Sequence, residues 1–108
     1  DDSPAIQRAI DSSNPGDTIF FPAGLFNLKR SLSLAGDRHY IASDAMLKGR
    51  RVNHIFVIRS DNILIQGFVF NGKPIFLDKT EGITPQHLAV QFGYFSKVQA
   101  WALVLVLR

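Results

Sequence analysis

The sequence contains no cysteine, and this absence removes several classes of site. A chain without thiols forms no disulfide bond, has no cysteine nucleophile and holds no zinc ion with cysteine ligands. Long hydrophobic runs are also missing, because the longest, residues 100–107, is far shorter than the roughly 20 residues that span a bilayer. The acidic first residues do not fit a secretory signal peptide. No contact with a membrane is therefore expected.

Positive charge is only slightly in excess over negative charge. Twelve Lys and Arg against nine Asp and Glu give a formal charge of +3. A basic surface can favour anionic partners such as acidic polysaccharide or nucleic acid. The basic residues are scattered, however, and only Lys48-x-Arg50-Arg51 forms a cluster. Since no nucleic-acid-binding motif accompanies them, nucleic acid is not expected as a partner.

The first predicted element is a helix over residues 3–13. Ser3 is a suitable N-cap, and Pro4 fits the first helical position because its missing N–H is not needed there. The apolar face at helical spacing consists of Ala5, Ile6, Ala9 and Ile10. The turn-forming residues 14–17, Asn-Pro-Gly-Asp, are then expected to end the helix.

Short strand-like segments, separated by polar or glycine corners, fill the rest of the chain. Few hairpin dipeptides such as Asn-Gly lie between them, which does not favour an antiparallel meander. The predicted strand segments are residues 19–21, 25–28, 32–34, 40–42, 46–47, 55–58, 63–65, 68–70, 75–77 and 87–90. The chain is therefore predicted to be all-β after its N-terminal helix.

These strand segments form a regular repeat along the chain. The spacing between matching segments falls within the range of repeat lengths found in solenoid proteins. The matching segments are 32–34 with 56–58, 40–42 with 63–65 and 46–49 with 69–72, and a third unit is predicted over 75–77, 88–90 and 94–95. Each unit can form one coil that stacks on the next about 4.8 Å away, so that parallel sheets run along a solenoid. The fixed Leu and Asn positions of a leucine-rich repeat are absent, and a β-sandwich remains an alternative.

Three stretches resemble the N-terminal part of the pectate lyase superfamily and, within it, the rhamnogalacturonase/epimerase-like domains. The stretches are residues 1–11 (DDSPAIQRAID), 15–28 (PGDTIFFPAGLFNL) and 63–72 (ILIQGFVFNG). They stand where the family has D-D-T-x-A-I-Q-x-A-I-D and P-x-G-x-Y. The resemblance implies an all-β solenoid, namely a right-handed single-stranded parallel β-helix with an N-terminal capping α-helix.

The same resemblance implies one domain over residues 1–108. Residues 1–16 would form the capping helix and turn, residues 17–98 three to four coils, and residues 99–108 a tail of uncertain assignment. The family's upstream G-D-G-x-x segment is missing, and family members have more coils than three. The chain is therefore expected to be a fragment whose open coil edge allows an oligomer to form.

The resemblance implies a carbohydrate-active protein that is extracellular or located at the cell surface. The parent protein would act on acidic polysaccharide such as pectin by lyase or glycoside hydrolase chemistry. Its active site would lie outside this piece, so that no catalytic, cofactor-binding or metal-binding residue is predicted here, although the full-length parent could use Ca²⁺. The alternatives are a non-catalytic glycan-binding or structural β-helix, such as a phage tailspike or adhesin, and a small β-domain with no glycan role.

Acidic residues and Gln7 are the first candidates for a site. Adjacent Asp1 and Asp2 could bind a cation or form a carboxylate pair, but acidic residues before a helix also stabilise its N-terminus and satisfy free N–H groups. Gln7 is expected to hydrogen-bond a neighbouring loop. Turn positions are predicted for Asp44, Asp61 and Asp78, because their spacing does not match one coil.

Cationic and aromatic residues are the remaining candidates. Arg59, Lys73 and Lys79 could supply the positive charge that lyase chemistry needs beside a uronate carboxylate. The three histidines, His39, His54 and His87, show no metal-ligand spacing and are expected at corners. Phenylalanines repeated on adjacent coils are predicted to stack in the core; these are Phe20, Phe21, Phe26, Phe56, Phe68, Phe70 and Phe76. Trp101 is the best candidate for an exposed aromatic residue.

Overall fold

The computed structural model describes residues 1–78 and 88–91. The predictions for Lys79, His87, residues 94–95, Trp101 and the tail 99–108 lie outside the described residues. The described elements are α1 (Ser3–Asp11), β1 (Thr18–Phe21), β2 (Gly24–Leu28), β3 (Leu32–Leu34), β4 (Arg38–Gly49), β5 (Phe56–Ile58), β6 (Ile63–Asn71), β7 (Ile75–Leu77) and β8 (Leu88–Gln91). A mostly β chain with one short N-terminal helix is confirmed for this part. None of its helical residues form a segment long and apolar enough to cross a bilayer.

The N-terminal end of α1 differs from the prediction. Asp2, rather than Ser3, is the N-cap residue. Ser3 lies inside the helix and is buried, and its hydroxyl accepts hydrogen bonds from the N–H groups of Lys29 and Arg30. Pro4 lies in the first turn, one position later than the predicted first helical position. The serine therefore ties the helix to the corner after β2 instead of capping it.

The C-terminal end of α1 lies at Asp11, two residues before the predicted end. The Ser13 hydroxyl donates a 2.6 Å hydrogen bond to the Ile10 carbonyl, and such a local bond competes with a further helical turn. Gly16 adopts a φ of +91°, which turns the chain into β1 as the turn-forming residues predicted. The buried Ile10 side chain anchors the helix on the core.

All described strand pairings are parallel. One sheet has the order β1-β4-β6-β8, with β2 also paired to β4, and the other has the order β3-β5-β7. An antiparallel meander, which the sequence did not favour, does not occur in residues 1–78.

Two strands are longer than predicted, because corners expected between strands are bends within them. β4 joins the predicted segments 40–42 and 46–47, and β6 joins 63–65 and 68–70. The register between these strands shifts between Ile41 and Ala45, where β4 carries Asp44 at a φ of +57°.

The predicted repeat agrees with the register of the parallel pairs at two of three places. Strand β3 pairs with β5 over the matched segments 32–34 and 56–58, and Met46 pairs with Val69 as the repeat predicts. The third match is wrong by two residues, since Tyr40 pairs with Ile65. The bend in β4 accounts for this difference. The third unit pairs as well, with β7 beside β5 and β8 beside β6.

The core lies between the two sheets and under α1. Its buried hydrophobic residues are Ile10, Phe21, Leu28, Leu32, Leu34, Tyr40, Ala45, Leu47, Ile55, Phe56, Ile58, Ile63, Ile65, Phe68, Phe70 and Ile75. The ring of Phe68 meets Phe21 edge-on at a centroid distance of 4.8 Å and Phe56 at 5.4 Å. The predicted phenylalanine core is confirmed for the four buried rings, and half-buried Phe26 packs against them. The prediction is wrong for two exposed rings, Phe20 and Phe76.

Candidate functional site

A groove of about 350 Å³ lies on the outer face of the β3-β5-β7 sheet. Its described lining residues are Ser31, Asn53, His54, Val57, Arg59, Lys73 and Phe76. Val57 is paired with Ser33 on one side and with Phe76 on the other, at the middle position of each strand. Because side chains alternate along a strand, this middle row points away from the core while its neighbours on β5 are buried.

Most polar groove residues come from the corners before the strands. Ser31 precedes β3, His54 precedes β5 and Lys73 precedes β7. Parallel strands begin at the same edge of a sheet, so these corners lie next to one another. The Ser31 hydroxyl donates a hydrogen bond to the His54 carbonyl, and the N–H of Ile55 donates to the Lys73 carbonyl at 2.8 Å. The corners are thus fixed by backbone contacts, and the side chains at this edge are held by the fold.

An aromatic platform occupies the middle of the groove. The His54 imidazole stacks on the Phe76 ring at a centroid distance of 5.1 Å and an angle of 29°. Burial lowers the pKa of His54, and the nearby positive charge of Lys73 lowers it further. The imidazole is therefore neutral at pH 7. The two stacked rings form an uncharged aromatic pair, in which each ring covers one face of the other, and Phe76 is 42% exposed.

A fixed cation stands beside this platform. The Nε of Arg59 donates a 2.7 Å hydrogen bond to Oδ2 of Asp78, and its Nη1 donates a 3.4 Å bond to the Ser33 hydroxyl. The side chain of Asp78 is only 10% exposed, whereas that of Arg59 is 48% exposed. The carboxylate holds the guanidinium in place and leaves part of it open to solvent. Asp78 follows β7 directly and is the nearly buried partner of this ion pair.

Asp1 and Asp2 serve the attachment of the helix. Oδ1 of Asp1 accepts hydrogen bonds from the N–H groups of Ser3 at 3.0 Å and Lys29 at 3.2 Å. Oδ2 of Asp2 accepts a 2.8 Å bond from the N–H of Asn27, whose carbonyl accepts from the Asp2 N–H. The prediction that these carboxylates satisfy free N–H groups of the helix is confirmed for Asp1, whereas the Asp2 carboxylate makes no capping bond and accepts from β2 instead. Neither residue is among the described lining of the groove.

The other predicted candidates are not brought together. Asp44 lies at the bend of β4, Asp61 lies in the corner before β6, and His39 is exposed at the start of β4. Gln7 contacts strand β3 rather than a loop. Within residues 1–78 and 88–91, no group of three or more His, Asp and Glu side chains is placed to hold a metal ion.

Sequence reasoning missed Ser31, Asn53 and Val57 as groove residues and placed Phe76 in the core. One available signal concerned the run Ile75-Phe76-Leu77. In a three-residue strand with a buried first position, the middle side chain lies on the opposite face. The repeat of aromatic residues hid this alternation, because it suggested stacking in the interior.

Comparisons of the chain with protein families, with curated proteins and with solved structures find no match. The functional proposal therefore rests on the groove residues themselves.

Proposed function

We propose that the chain binds acidic polysaccharide in the groove of the β3-β5-β7 sheet. The observation that carries this proposal is the exposed His54–Phe76 platform with the cations Lys73 and Arg59 beside it. A flat aromatic face can pack against the apolar face of a sugar ring, and the cations attract the carboxylates of a polyuronate. Neutral rings and fixed cations at one site suit a ligand that is both a sugar and an acid.

The finer fold that we propose is a right-handed parallel β-helix similar to the N-terminal part of the pectate lyase superfamily. The parallel pairing of strands from successive repeat units supports it, because each strand lies beside its counterpart in the next unit. Crossovers between parallel strands of one sheet are nearly always right-handed. The motifs of residues 1–28 and 63–72 support the relationship to this superfamily.

Binding is better supported than cleavage for the described residues. The carboxylate that contacts a groove cation, that of Asp78, is nearly buried and accepts a hydrogen bond from Arg59. A general base needs a lone pair that is free to reach the substrate. We therefore propose a glycan-binding role, and cleavage by lyase or hydrolase chemistry is an outcome that the test distinguishes.

The test is calorimetric titration of the 108-residue chain with de-esterified oligogalacturonides and with a neutral galactan oligomer. We expect saturable binding of the acidic oligomer only. Phe76→Ala should weaken it about fivefold or more, because an aromatic contact contributes roughly 1 kcal/mol beyond its burial. Phe20→Ala is the matched control, since Phe20 is 58% exposed but lies outside the groove.

A second pair of variants tests the charge. Lys73→Gln should weaken binding of the acidic oligomer and flatten its dependence on salt, whereas Arg8→Gln on the exposed face of α1 should change neither. Absence of saturable binding, or equal effects of test and control variants, contradicts the proposal. Release of unsaturated or reducing ends by the chain would show cleavage and contradict a purely binding role.

A further inference from the structure

A second concavity, of about 470 Å³, lies at the corners that follow β2 and β4. Its described lining residues are Lys29, Arg50 and Arg51, and all three are exposed. None of them forms an ion pair within residues 1–78. Arg50 and Arg51 belong to the basic cluster that the sequence shows, but Lys29 joins them only through the fold.

The parallel pairing of β2 with β4 builds this cluster. Leu28 is paired with Gly49, and the Arg50 N–H continues the ladder with a 2.8 Å hydrogen bond to the Leu28 carbonyl. Lys29 and Arg50 thus follow paired positions on strands that lie about 4.8 Å apart. The two corners therefore bring basic residues from neighbouring strands to one place.

The turn at Arg51 completes the cluster. Its φ is +63°, a left-handed conformation that bends the chain directly after Arg50. The exposed Arg51 side chain lines the same concavity as Lys29 and Arg50.

We infer that Lys29, Arg50 and Arg51 bind the terminal oxyanion of a sulfate or phosphate monoester. Three neighbouring cations repel one another, and a bound anion removes this repulsion. One guanidinium already satisfies both oxygens of a carboxylate, whereas a monoester offers three terminal oxygens and can accept from all three side chains. The volume of the concavity leaves room for the sugar or other alcohol that carries the ester.

The described lining agrees with this choice of ligand. The Asp1 carboxylate accepts from the Lys29 N–H at the same corner but is not among the described lining residues. The described lining contains no aromatic side chain of the kind that stacks nucleic-acid bases, and a phosphodiester exposes only two terminal oxygens. The site is separate from the groove and does not depend on the proposed function.

The test is calorimetric titration of the full chain with glucose 6-sulfate and glucose 6-phosphate. Glucose, galacturonate and duplex DNA are the comparison ligands. We expect saturable binding of at least one monoester, no binding of glucose and clearly weaker binding of galacturonate and DNA. The preferred monoester identifies the source of the group as a sulfated or a phosphorylated partner.

Variants at the exposed arginines assign the site. Arg50→Gln and Arg51→Gln should each weaken monoester binding about tenfold or more, because each variant loses a hydrogen bond between two charged groups. Arg50→Lys keeps the charge but loses the planar fork, so that its affinity should lie between those of wild type and Arg50→Gln. Arg8→Gln is the control of equal charge and should change the affinity less than about twofold.

Several results overturn this inference. They are the absence of saturable binding of both monoesters, equally tight binding of galacturonate or DNA, and equal losses for the test and control variants. Far-ultraviolet circular dichroism and urea unfolding of each variant show that a loss of binding does not come from a loss of folding.

Discussion

The side-chain amide of Gln7 pairs with the backbone of Ser33 as a neighbouring strand would. Its Nε2 donates a 3.0 Å hydrogen bond to the Ser33 carbonyl, and the Ser33 N–H donates a 2.9 Å bond to Oε1. β3 is the first strand of its sheet, and an unpaired strand edge is a template for association with another chain. Helix α1 therefore covers this edge with one side chain.

Replacing Gln7 should expose the edge of β3. We expect Gln7→Ala to lower the free energy of unfolding by about 1–2 kcal/mol, because the two hydrogen bonds to Ser33 and the exposed one to Asp11 are lost. Gln7→Glu should cost a similar amount. The glutamate carboxylate cannot donate to the Ser33 carbonyl, and it faces the carboxylate of Asp11, which in the wild type accepts a 3.0 Å bond from Nε2. Urea unfolding measures the loss, and light scattering measures association. Arg8→Ala on the same helix is the control and should change neither.

Gly67, the single glycine of β6, should be difficult to replace. Its φ is +85°, and a Cβ at this position would lie 2.2 Å from the Ala42 carbonyl oxygen. We expect Gly67→Ala to destabilise the chain by roughly 3 kcal/mol or more, through strain and displacement of the paired strand.

Gly16 provides the matched control for this substitution. Its φ is +91°, but a Cβ there would meet no atom within 4 Å. Gly16→Ala should therefore cost only the conformational strain of roughly 1–2 kcal/mol. Equal losses of unfolding free energy for the two variants would show that the contact with Ala42 is unimportant.

The buried Tyr40 hydroxyl should make stability fall at alkaline pH. It donates a 2.8 Å hydrogen bond to the Ala35 carbonyl and accepts a 2.7 Å bond from the Ala35 N–H. Burial raises the pKa of Tyr40 to about 12, from an ordinary value of 10.0. The folded chain therefore holds the proton between these pH values, so that stability from Tyr40 is complete below pH 10 and is lost as the pH rises towards 12.

Tyr40→Phe separates this effect from general alkaline unfolding. At pH 8 the variant should lose about 1–2 kcal/mol, because the Ala35 backbone groups lose their partner. Its unfolding free energy should then fall less steeply than that of wild type between pH 10 and 12. Urea unfolding across this range checks the prediction, and parallel slopes for both chains would contradict it.

The Phe68 ring should carry a large share of core stability. It is fully buried and contacts Phe21, Phe56 and Phe70. Phe68→Ala should destabilise the chain by about 3–5 kcal/mol, as expected for a large cavity in a packed core. Phe20→Ala removes an equal volume from an exposed ring and should cost well under half as much. Thermal or urea unfolding compares them, and similar losses would place Phe20 in the core.

Local patterns predicted the elements of this chain better than their connections. The apolar spacing of Ile6 and Ile10 indicated α1, and short β-rich runs indicated the strands, because both signals come from residues near in sequence. The sequence predicts a corner at Asp44, where the structure has a bend within β4. The same residue types occur at bends inside strands and in corners between strands, so local sequence does not separate the two cases. The two-residue error in the match of Tyr40 follows from that bend.

The amino-acid sequence by itself determined a cysteine-free, mostly β chain with a short amphipathic helix, repeated strands and a slight excess of positive charge. Only the tertiary structure decided which side chains share a surface. Phe76 and His54 meet because β7 pairs in parallel with β5, and Lys29 meets Arg50 because β2 pairs in parallel with β4. Such contacts depend on the pairing of strands that are distant in sequence, and the repeat predicted this pairing only where no bend shifts the register.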